Sequence, residues 1–124
     1  MIELLPVGLA ACNSPRVCLT VLVPETLEER VVDWLLTHPD WQVEFSVHRV
    51  AARGPLVHLA LDDERVQGFA QRVELKLIIE RGQLPALLAE VQSLLAGLEG
   101  GYWVLPVECF GDFAKAAAPQ ETLS

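Results

Sequence analysis

The chain has 124 residues, the size of one ordinary domain, and its 52% hydrophobic against 21% charged residues suffice for a packed core. Its formal net charge of -8, with nine scattered Lys and Arg, argues against nucleic-acid binding, which needs clustered cations. No apolar run reaches the roughly 18 residues of a bilayer-spanning helix, so direct membrane insertion is not expected.

Residues 1–15 read as a loose N-terminal extension. Leu9-Ala10-Ala11-Cys12 matches the small-residue pattern of a lipoprotein cleavage site. The segment before it lacks Lys and Arg, however, and carries Glu3 and Pro6. The three cysteines, Cys12, Cys18 and Cys109, show no CxxC spacing. A disulfide framework is therefore not expected, and a reducing, cytoplasmic setting is.

"VCLTVLV" (17–23), bounded by Pro15 and Pro24, predicts a strand. "ETLEERVVDWLLTH" predicts a helix, with Leu27, Val31, Trp34, Leu35 and His38 on one stripe. Glu25, Glu28 and Glu29 stand in its first turn, where the helix dipole favours negative charge. His38 is expected to serve carbonyls at the helix end. "WQVEFSVHRV" (41–50) alternates as a half-buried strand, with Val43, Phe45 and Val47 on one side and Glu44, Ser46 and His48 on the other. Residues 51–71 have no firm periodicity and read as a long loop, of a length that is usually functional. "RVELKLIIE" (72–80) is a third strand, and "LPALLAEVQSLLAGL" a second helix with Pro85 in its first turn. "GGYWVLPVECFGDF" contains the last strand, and Pro106 within it points to a sheet edge. Residues 114–124 read as a flexible tail.

This order gives an α+β fold over residues 16–113: a ferredoxin-like βαββαβ sandwich, a four-stranded antiparallel sheet with two helices on one face. Trp103, Leu105 and Val107 are assigned to the helix-covered face. Leu22, Ile78, Tyr102 and Val104 are assigned to the opposite one, as an apolar patch suited to burial in an oligomer.

The element order, the long loop and above all Tyr102-Trp103-Val104-Leu105-Pro106-Val107-Glu108 resemble the PII signalling proteins. With "CLTVLVPETLEERVVDWLLTHP", the chain is more closely similar to a small PII-like bacterial family whose genes often lie beside heavy-metal efflux pumps. The resemblance covers about residues 16–110. It implies a homotrimer whose loop, here 51–71, docks on a target protein such as a membrane transporter. It also implies a small effector such as an adenine nucleotide in the inter-subunit cleft, and through the efflux genes a part in metal homeostasis. Where PII proteins have a lysine-bearing phosphate loop, this chain has "AGLEGGYW" (96–103), with Gly100 and Gly101 but no Lys or Arg. Candidate ligand contacts are therefore Arg49, Arg53 and Arg72 around the loop base, with Gly100 and Gly101.

A second reading is a metal-binding, metal-tolerance protein similar to the trimeric CutA proteins, without nucleotide sensing. His58, Asp62, Asp63 and Glu64 form the densest group of candidate ligands for a divalent transition metal. His48 near a threefold axis is a further candidate. Cys109 is expected to be a buried, inert thiol. With no nucleophile elbow, HExxH or phosphate-loop motif, the chain is not expected to be an enzyme.

Overall fold

The computed structural model describes residues 14–38, 43–57 and 68–114. In chain order they form β1 (Arg16–Pro24), α1 (Glu28–Thr37), β2 (Glu44–Ala52), β3 (Ala70–Glu80), α2 (Leu84–Leu95) and β4 (Gly101–Pro106). One-turn 3-10 helices, Glu25–Leu27 and Arg81–Gln83, lead into the two α-helices. The strands make one antiparallel sheet in the order β2-β3-β1-β4, so β4 is an edge strand and Pro106 is its last residue. The expected α+β, ferredoxin-like arrangement is the one observed. No helix of the described residues is long and apolar enough to cross a membrane.

Both helices lie on one face because only that face is apolar on every strand. Phe45, Leu77, Leu19 and Val104 form a row across all four strands, each facing the next in register. Val31 and Leu35 of α1 and Leu87 and Val91 of α2 close over this layer. Leu19, Leu75, Leu77, Ile79 and Leu87 are fully buried, and burying a side chain of this kind stabilises the fold by about 1.5–3 kcal/mol. The helices are also joined directly, through His38 Nε2 and Glu90 Oε1 at 3.1 Å. At the end of α1 it is the His38 backbone N–H that reaches the Trp34 carbonyl; the imidazole turns to α2 instead.

The phase of β4 corrects the sequence expectation. Tyr102 and Val104 belong to the helix side: Val104 packs on the core, and the Tyr102 hydroxyl accepts a hydrogen bond from Gln92 Nε2 at 2.8 Å. Trp103 and Leu105 stand on the open face opposite Thr20 and Cys18, 37% and 56% exposed. Two of the cross-strand rows on the open face differ in character. One reads Ser46, Lys76, Thr20, Trp103, and the other Glu44, Ile78, Cys18, Leu105. Its apolar part lies toward β4, its polar part toward β2.

Beyond β4 the chain stays beside β1, with Val107 N–H bonded to the Arg16 carbonyl and Ser14 N–H to the Glu108 carbonyl. The Arg16 guanidinium stacks 4.3 Å from the centre of the Phe110 ring. Cys109 is exposed and disulfide-bonded, whereas Cys18 is a free thiol. This overturns the reading of Cys109 as a buried, inert thiol.

Candidate functional site

The candidate site lies at the end of the sheet where β2 passes to β3. Strand pairing runs to Ala52 opposite Ala70, so the connection spans 53–69, shorter at each end than the 51–71 expected from periodicity. Residues 53–57 fold back over the open face, held by the Val57 N–H on the Gly54 carbonyl at 3.0 Å. Leu56 drops onto Gly101 so closely that a Cβ there would lie 2.5 Å from Leu56 Cδ1. Leu22, on a face that the sequence alone leaves open, is consequently buried.

Beneath this roof is a cleft of about 340 Å³, with Leu22, Val50, Leu56 and Trp103 as its apolar lining. Glu74 and Arg53 supply the charges at its edge. Arg53 is steadied by the Phe69 ring, 5.7 Å from its guanidinium carbon and within cation–π range. Glu74 has Lys76 Nζ at 3.8 Å. An apolar floor with an aromatic wall and two opposite charges suits a flat, mostly apolar group bearing an ionic substituent. Among the described residues the lining holds no Ser, Cys or His to act as a nucleophile. A smaller cleft, about 200 Å³, lies on the other side of Leu22 and Gly101, between α2 and β4.

The candidate ligand residues separate on this geometry. Arg49 shares the parity of Phe45 and Val47, faces the helix side and bonds Glu28 Oε1 at 3.3 Å, away from the cleft. Arg53 lines the cleft. Arg72 is buried beside it, and its guanidinium donates to Glu99 Oε2 at 2.7 Å and to the Gln71 carbonyl at 2.9 Å. Gly100 has φ +122°, and a Cβ there would run into the Leu22 carbonyl oxygen, so this glycine is required by backbone packing. At Gly101 a Cβ would meet only the end of the Leu56 side chain, which can rotate away.

Of the candidate metal ligands, His58, Asp62, Asp63 and Glu64 lie outside the described residues. His48 is on the open face at the β2 edge, bonded to Ser46 Oγ at 2.8 Å and opposite Glu74 in register. Among the described residues no three potential ligands gather into a metal site.

Leu56, Glu74, Trp103 and Glu99 are site residues that the sequence reading did not single out. Glu74 was legible in principle, since it alternates with the apolar residues of its strand, whereas Trp103 stands in an all-apolar strand whose phase the sequence does not mark. Leu56 and Glu99 lie in irregular segments, where no period marks them.

These features match known proteins at two levels. In a crystal structure of a DUF3240 family protein from Shewanella baltica, the similarity extends over 80% of this chain and 97% of that one, with TM-score 0.63 and 16% identity. With Arabidopsis thaliana PII bound to citrate, it extends over 77% and 79%, with TM-score 0.51 and 16% identity. At such identity these likenesses establish the fold, which is PII-like. No curated protein matches the sequence. The family model described as "Protein of unknown function (DUF3240)" matches residues 13–114, which include every described residue, and the chain is a member of that family.

Proposed function

We propose that this protein is a PII-like homotrimeric regulator, not a catalyst, that engages a partner protein through the β2–β3 connection. A small effector in the cleft beneath residues 53–57 modulates that engagement. The observation that carries this reading is the roof itself. Leu56 and Arg53 belong to the base of the connection and also line the cleft, so an occupant contacts the segment that leads to the partner. A ligand shifts such a segment only by binding one of its arrangements better than another, and direct contact supplies that difference. The PII-like fold supports the regulatory role, and the exposed Trp103 and Leu105 support burial of the open face between subunits.

The favoured effector is an adenine nucleotide, its base against Trp103 and its phosphates toward Arg53. The favoured partner is a membrane transporter of the metal-efflux type. Calorimetric titration with ATP, ADP and AMP, and separately with zinc, copper and nickel, tests the effector. Nucleotide binding that falls by about tenfold in Trp103→Ala, as expected when an aromatic stacking surface is removed, supports the reading. Metal binding without nucleotide binding favours the metal-tolerance alternative and overturns it.

A further inference from the structure

Arg72 is the one charged residue that is buried among the described residues, and the regulatory role proposed for the cleft leaves it without a task. It stands at the return of the β2–β3 connection, facing Val50 of the cleft across β2 and Pro24 across β1. Its guanidinium reaches Glu99 at 2.7 Å, and Glu99 immediately precedes Gly100 and Gly101, on which Leu22 and Leu56 rest. The Arg72–Glu99 ion pair thus ties the return of the connection to the turn that supports the roof. The two partners are unequal: the Arg72 side chain is 8% exposed and that of Glu99 is 28%. Glu99 is on the water side and can swing outward, whereas Arg72 cannot follow it.

A buried ion pair contributes little net stability once desolvation is counted, and its best-attested use is to set a register or a switch. We infer that Glu99 is an internal competitor for an anionic effector: a phosphate or carboxylate that takes its place on Arg72 releases the turn before β4 from the return of the connection. Guanidinium binds either anion through the same charge-assisted geometry, so the exchange conserves the hydrogen bonds of Arg72. Glu99 is then a positioning residue for the roof. This inference rests on the effector reading and adds Arg72, beside the cleft, to Arg53 of its lining as a second anion-binding group.

The test compares the whole protein with Glu99→Gln and Arg72→Lys, titrated with inorganic phosphate, ATP and adenosine. Glu99→Gln removes the competing charge but keeps the side-chain shape. It is expected to raise affinity for phosphate and ATP by about tenfold or more, as one charge-assisted bond allows, and to leave adenosine unchanged. Arg72→Lys, which loses the planar fork, is expected to abolish that gain when combined with Glu99→Gln. Equal phosphate and ATP affinity in wild type and Glu99→Gln, or no binding by either, overturns the inference. If adenosine binds while Glu99→Gln changes nothing, the effector cleft stands and the competitor falls. If Glu99→Gln gains phosphate but neither protein binds adenosine, the competitor stands and the nucleotide reading falls.

Discussion

Gly100→Ala is expected to lower folding stability by at least about 3 kcal/mol, the scale of a non-glycine residue forced into a glycine-only conformation with a backbone clash added. The backbone there has φ +122°, and the new Cβ meets the carbonyl oxygen of Leu22, a fixed atom of the central sheet. Neither group can move without breaking the β1–β4 register that begins at the Leu22–Gly101 pair. Gly101→Ala is the matched comparison. Its Cβ meets only the end of the Leu56 side chain, which can rotate away, so the loss stays within about 1 kcal/mol. Denaturant unfolding reads both as midpoint shifts. A similar midpoint for the two variants would contradict the packing assigned to this turn.

Leu105→Glu is expected to convert the proposed trimer to monomers with little effect on the fold of each. Leu105 is 56% exposed in the single chain, so the monomer accepts a carboxylate there at small cost. Once the open face is buried against neighbours, the same carboxylate loses its water, a penalty of several kcal/mol that recurs in each copy. Leu36→Glu serves as the control: Leu36 is 67% exposed on α1, away from the open face, and its substitution leaves the assembly intact. Sedimentation velocity distinguishes the outcomes. Dissociation by both variants, or by neither, would remove the open face from the subunit interface.

The fold was legible because the inner strands carry their parity openly. Leu75 and Leu77 alternate with Glu74 and Lys76, so one face of β3 is unambiguous. The last strand carries no such contrast. Every residue from Tyr102 to Val107 is apolar, and its phase is set instead by the backbone approach of Gly100 to Leu22, a contact between residues far apart in sequence. Arg49 is the opposite case. The alternation that groups Val43, Phe45 and Val47 also places Arg49 with them, so strand parity alone separates it from the cleft. The Arg72–Glu99 pair joins residues 27 positions apart, across the whole of α2, and no local period announces it. The disulfide at Cys109 was not legible because spacing tests look for neighbours in sequence, whereas Cys109 lies where the chain runs on beside the start of β1.

The proposed regulation depends most on the association of three open sheet faces, since the exposed Trp103 and Leu105 are given their burial by that assembly. Light scattering of the purified protein at micromolar concentration measures this directly. A particle of three times the 13.7 kDa chain mass is the predicted result. A monodisperse particle of the single-chain mass would contradict the account.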